Sequence, residues 1–153
     1  MRRRRWCAIL SLAAAFLPQR LAAQTRLGLG PQGLVSSEPA VAFVAGAGGF
    51  LQVGRRDRLA GFAGIGREDQ GHGAGRVELT WQVVLAPEAR GVTAYAGAGV
   101  GHRWGRLDQG ILVVLLGLEG NSAGQAGWIA ELGLGGGVRV SLGYRWRWGR
   151  RPP

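Results

Sequence analysis

Downstream of residue 23 the chain holds two histidines, His72 and His102, and four serines, Ser36, Ser37, Ser122 and Ser141. A serine, a histidine and an acid can hydrolyse or transfer an acyl group, but only when they lie within hydrogen-bond reach of one another. No spacing in this chain places them so. Metal chemistry has less to work with, because the one cysteine is Cys7 and two isolated histidines make no ligand set. Gly97-Ala-Gly99-Val-Gly101 has the composition of a phosphate loop, yet it sits inside a strand pattern with no helix after it. No catalytic, cofactor-binding or metal-binding residue is therefore expected. The charged side chains that recur in phase are Glu78, Arg103, Glu131, Arg139, Arg145 and Arg147. Enclosed together they must pair or meet water, since a lone buried charge is costly. That leaves two uses for them, a salt-bridged plug or an anion-preferring pore.

The elements that would position these groups are strands. In residues 138–148 every even position is apolar or aromatic (Val138, Val140, Leu142, Tyr144, Trp146, Trp148), and every odd one is polar, charged or Gly. Strand side chains alternate faces, so this segment has one apolar and one cationic face. A helix would scatter the same three arginines around its circumference. Similar alternation marks 41–53, 77–85, 92–104 and 128–134. Residues 59–67 are Gly-rich with an ambiguous phase, and 111–118 are apolar on both faces. A weak strand at 25–30 is ended by Pro31, with a loop at 31–40. Further loops or turns are expected at 55–57, 68–74, 87–90, 105–109 and 120–126. A three-residue turn at Gly135-Gly136-Gly137 sets Leu134 opposite Val138, Leu132 opposite Val140, Ala130 opposite Leu142 and Trp128 opposite Tyr144. All four pairs are apolar, as a uniform face requires.

The formal charge of +10 suggests nucleic acid until it is divided along the chain. All 19 basic residues are Arg, and Arg2, Arg3, Arg4, Arg5 and Arg20 lie in a segment without acids. Four arginines, the apolar run 6–17, Pro18 and the small residues before Gln24 have the three parts of a secretory signal peptide. Residues 1–23 are read as that signal, with cleavage after Ala23. The run is too short to span a membrane, which takes about 20 residues. Export argues against a nucleic-acid partner and removes Cys7.

Two all-β architectures compete. A soluble sandwich buries its apolar faces. A transmembrane barrel shows them to lipid and keeps polar groups inside. Export, strands near the ~9–11 residues that cross a bilayer, and aromatics at strand ends favour the barrel. Trp128, Tyr144, Trp146 and Trp148 gather at one level and Trp104 sits on another strand, where amphipathic rings would meet the headgroup boundary. The segment Ser141-Leu-Gly143-Tyr-Arg-Trp146-Arg-Trp148 also resembles the C-terminal β-signal of Gram-negative outer-membrane proteins: polar, any, Gly, any, any, aromatic, any, aromatic. The resemblance implies recognition by the barrel assembly machinery through Ser141, Gly143, Trp146 and Trp148. In size and layout the chain is similar to the small eight-stranded barrels, such as the transmembrane domain of outer-membrane protein A.

The expectation is an antiparallel up-and-down transmembrane β-barrel of eight strands over residues 24–148, followed by a short basic tail, 149–153. It would be monomeric in the outer membrane, with lipid and lipopolysaccharide as partners. The basic tail, Arg147, Arg150 and Arg151, is expected near anionic lipid phosphates. Its role would be structural, adhesive or envelope-maintaining, without catalysis. The alternatives are a barrel enzyme acting on lipid A and a secreted soluble β-sandwich that binds a ligand. Lipid A deacylase barrels carry His-x-Ser, whereas Ala74 and Trp104 follow these histidines at that spacing. His72 is read as a loop residue and His102 as an interfacial one. If the β-signal reading holds, Trp146→Asp combined with Trp148→Asp blocks assembly; normal membrane levels of that variant on immunoblots of cell envelopes would refute it.

Overall fold

A computed structural model describes residues 26–37, 41–85 and 91–149. The expected signal peptide, the turn at 87–90 and the tail beyond Gly149 lie outside the described residues. Eight strands form one closed antiparallel barrel in sequence order: β1 (Leu27–Ser36), β2 (Ala42–Gln52), β3 (Asp57–Glu68), β4 (Gly73–Val84), β5 (Thr93–Trp104), β6 (Gln109–Glu119), β7 (Ala126–Leu134) and β8 (Val138–Trp148). Neighbours in sequence pair with each other, and β1 closes on β8 from Leu27↔Trp148 to Ser36↔Arg139. The last hairpin has the register its alternation demands, with Leu134↔Val138, Leu132↔Val140, Ala130↔Leu142 and Trp128↔Tyr144.

The polarity of the wall is inverted relative to a water-soluble protein. Leu79, Trp81, Leu112, Leu116, Leu132 and Leu142 face outward and are exposed, while Gln32, Thr80, Gln82, Glu131, Arg139 and Arg145 are buried inside. The soluble sandwich is thereby excluded, because it would need Leu142 and Trp81 within and Arg139 in water. Two apolar clusters do sit inside. One holds Leu34, Val44, Phe62 and Ala74; the other holds Tyr95, Ile111, Val113 and Leu115. The second explains why 111–118 is apolar on both faces: Ile111, Val113 and Leu115 pack in the lumen while Leu112, Val114, Leu116 and Leu118 look out.

The structure corrects several boundaries. Pro31 does not end β1, which runs on to Ser36, so most of the expected loop at 31–40 is strand. Pro31 pairs with Ala47 on one side, and the ladder to β8 skips Gly30 and Pro31 on the other. A residue without an N–H is tolerated where the ladder is interrupted. Asp57 begins β3 instead of ending a turn, and Glu68 ends it. A short 3-10 turn, Asp69–Gly71, then leads to β4, which starts at Gly73 within the expected loop. The ambiguous phase of 59–67 resolves with Phe62 buried inside and Ile65 exposed outside. Glycine makes room for the large inward rings. A Cβ on Gly117 would collide with the Tyr95 ring, and one on Gly28 with the Phe50 ring.

Val114 lies at the midpoint of β6 and faces outward. Val114→Arg is expected to lower stability by about 2–4 kcal/mol if that face meets hydrocarbon. Urea titration of tryptophan fluorescence in phospholipid vesicles measures this, and an unchanged midpoint would mean the face lies in water.

Candidate functional site

The lumen carries the only dense polar chemistry among the described residues. Its hub is Glu131, on β7 and facing Ser141 across the ladder. The Glu131 carboxylate accepts from Tyr95 Oη at 2.8 Å, Ser141 Oγ at 2.9 Å and Gln32 Nε2 at 3.1 Å. It pairs with Arg139 at 2.9 Å, and Arg145 stands 3.8 Å away. Arg139 reaches on to Glu78 at 2.8 Å, and Glu78 also binds Arg76. Arg145 donates to Gln32 Oε1 at 3.1 Å. Side chains from β1, β4, β5, β7 and β8 thus meet in one connected set.

A second knot lies nearer the chain termini. Glu119 takes Arg58 on one side and Arg147 on the other, both at 2.5 Å. Arg58 also donates to Gln82 at 2.7 Å, and its guanidinium stacks 4.0 Å from the Tyr95 ring centroid and 4.8 Å from that of Phe50. Stacking on a ring face suits a planar, weakly hydrated cation. Arg147 further donates to the carbonyl of Asn121, and Arg26 to those of Ser122 and Gly124. Thr93 bonds the buried Ser122 hydroxyl at 2.7 Å. The polar turn 120–125 is therefore folded against the end of the lumen, which accounts for its length.

Five buried arginines face three buried glutamates inside, an excess of two positive charges. Two gaps among these side chains are small. A gap lined by Gln32, Glu78, Glu131 and Arg145 measures about 10 Å³, and one near Arg76 and Arg103 about 20 Å³. The first has room for roughly a single water.

Glu78, Glu131, Arg139, Arg145 and Arg147 all lie in the lumen, and Arg103 is half-buried at its mouth, donating to the Gly136 carbonyl at 3.2 Å. Arg147 is thereby held by Glu119 inside the barrel, and the expectation that it joins the tail near lipid phosphates is corrected. Sequence reasoning missed Arg58, Arg76, Glu119 and Gln32. Each continues the inward phase of its strand by a residue or two, except Gln32, which was hidden behind Pro31. Gly143 and Ser141 face the lumen, whereas Trp146 and Trp148 face out. Trp128, Tyr144, Trp146 and Trp148 ring the terminal end, joined by Trp81, whose Nε1 donates to Asp57. Trp104 lies toward the other end, stacked on His102. His102 faces outward, 2.7 Å from Asp108, with Val77 and Gly110 beside it in the ladder. Ser36, Ser122 and Ser141 are buried within the barrel, so the wall separates them from His102. His72 is exposed after the 3-10 turn.

Replacing Glu131 leaves Arg139 and Arg145 without their shared carboxylate. Glu131→Leu is expected to cost about 3–5 kcal/mol in unfolding free energy. Adding Arg139→Leu should return part of it, and denaturant titration of the two variants checks both.

No protein-family model matches the chain, and no curated protein matches its sequence. Its fold does match solved structures. The N-terminal β-barrel domain of Pseudomonas aeruginosa OprF superposes with a TM-score of 0.69 at 14% identity, over 82% of this chain and 98% of that one. Neisserial surface protein A gives 0.57 at 14%, over 80% and 96%. Ail, the attachment invasion locus protein of Yersinia pestis, gives 0.54 at 13%, over 82% and 99%. A de novo designed transmembrane β-barrel also matches, at 0.57. The fold of this chain is that of the small eight-stranded transmembrane barrels of outer membranes.

Proposed function

We propose that the protein is an integral outer-membrane barrel with a structural, envelope-maintaining role and no catalytic step. The observation that carries this is the inverted wall: an apolar outer surface around a lumen filled by its own ion pairs. Such a tube is stable only where hydrocarbon surrounds it, and the paired side chains that cross its centre disfavour a wide pore. The barrel neighbours support the outer membrane as its address. The aromatic girdle near the termini fits one headgroup boundary, and Trp104 fits the other. In this orientation the termini face the periplasm, and Ser141, Gly143, Trp146 and Trp148 present the assembly signal.

The loops at the opposite end favour a structural over an adhesive role. Only residues 37–41, 69–72, 105–108 and 135–137 join the strands there. A stable protein interface needs about 800 Å² on each partner, more than such short turns readily supply. An anion-preferring pore would need the excess arginine charge to line open space, whereas the gaps hold about 10 and 20 Å³.

Expression in a Gram-negative host tests the reading. The protein should remain in carbonate-washed outer membranes and migrate differently on gels before and after boiling. Reconstituted in planar bilayers, it should give no stable conductance steps. Recovery as free periplasmic protein would refute the address, and sustained anion currents would refute the closed lumen.

A further inference from the structure

The outward face of the barrel is unevenly filled. Across β8, β1, β2 and β3, on the half of the wall away from the termini, the register sets Leu142, Gly33, Ala45 and Ile65 side by side. Gly33 and Ala45 contribute little side chain, while Leu142 and Ile65 stand 63% and 74% exposed on either side. The result is an apolar groove of about 410 Å³, within the size range of small-molecule sites. Its floor continues toward the middle of the wall through Pro31, Ala47 and Ala63, the next row in the ladder.

The row at the other side of the groove runs Val140, Val35, Phe43 and Arg67. Arg67 is the one arginine that faces outward from the described strands; every other strand arginine points into the lumen. It is exposed and has no ion pair or hydrogen bond among the described residues. A cation with no partner among the described residues thus stands beside Gly66 and opposite Phe43, two residues of the groove's lining, where the apolar band gives way to the loops.

The geometry points to a binding site for one phosphorylated outer-leaflet lipid of the lipid A class, with an acyl chain along the groove and its phosphate on Arg67. The inference rests on the membrane reading and on the orientation given above. Surrounding hydrocarbon makes the occupant of the trough apolar, and the fork of guanidinium donors matches phosphate oxygens. A second copy of this chain complements the site poorly. The outward carboxylate on its strands, Asp57, lies at the opposite end and is bonded to Trp81, and at the loop end Asp108 is engaged by His102 and Glu68 by the Arg106 amide.

The full chain in phosphatidylcholine nanodiscs doped with lipid A, then exchanged into lipid A-free discs, allows retained lipid A to be counted by native mass spectrometry. Wild type should retain lipid A selectively. Arg67→Gln should lower retention roughly fivefold, the effect of one arginine at a charged lipid surface. Gly33→Leu should lower it at least as much by filling the trough, and its Cβ has space, with only the Leu142 carbonyl near at 3.9 Å. Ala45→Leu provides a second filling variant, and gel migration before boiling reports folding of each. Dephosphorylated lipid A should be retained by wild type no better than intact lipid A is by Arg67→Gln. Equal retention by wild type and the folded variants overturns the site, as does a wild-type dimer that Gly33→Leu dissociates. Failure of wild type to enter the discs overturns the membrane reading itself, and this site with it.

Discussion

Glu131 shows the constraint on which the whole structure depends. Inside a narrow tube with hydrocarbon outside, a charged side chain cannot turn to bulk water, so the fold must supply its partners. Glu131 meets Tyr95, Ser141, Gln32 and Arg139, drawn from three other strands. Each of those strands must hold its register, because a slip by one residue would send the partner to the lipid side and bring an apolar side chain in. The backbone ladders close the barrel, and the lumen charges fix which ladder forms.

The same constraint suits arginine to the five buried cationic positions. A guanidinium can bind two acceptors and lie flat on a ring at the same time, as Arg58 does with Glu119, Gln82 and Tyr95. A lysine offers a compact, strongly hydrated charge that lacks both properties. Three glutamates serve five buried arginines with help from carbonyls, amides and aromatic faces, and five buried guanidinium nitrogens, on Arg58, Arg139 and Arg145, still lack a hydrogen-bond partner. Arg76 on the Gly135 carbonyl and Arg147 on the 120–125 turn tie the lumen to the loops at both ends. One set of contacts thus crosses the lumen and braces the loops at its ends.

The outer surface obeys a different rule. Hydrocarbon makes no demand for specific partners, so the side chains there vary freely in size, and the variation leaves relief. Where Gly33 and Ala45 stand between Leu142 and Ile65, that relief becomes a trough; where Trp128, Tyr144, Trp146 and Trp148 stand together, it becomes a girdle. Arg67 and Asp57 mark opposite edges of the band as the strand positions that carry outward charge. Asp57 is satisfied by Trp81, whereas Arg67 has no partner among the described residues.

The sequence by itself determined the strands, their two faces and the register of the last hairpin. Period-two alternation is a local property, readable wherever neighbouring residues differ in polarity. It fails where both faces are apolar, as at 111–118, or where glycine blurs the phase, as at 59–67. It also placed Glu78, Glu131, Arg139, Arg145 and Arg147 on one face. Only the tertiary structure decided which residues complete that face: Arg58, Arg76, Glu119 and Gln32 sit at strand ends or beyond a proline, where chain-local signals suggest a turn. Pairing across β1 and β8 likewise joins residues more than a hundred positions apart, Gln32 to Ser141 and Arg145. Contacts of that kind arise from closure of the sheet, which no local pattern of side chains specifies.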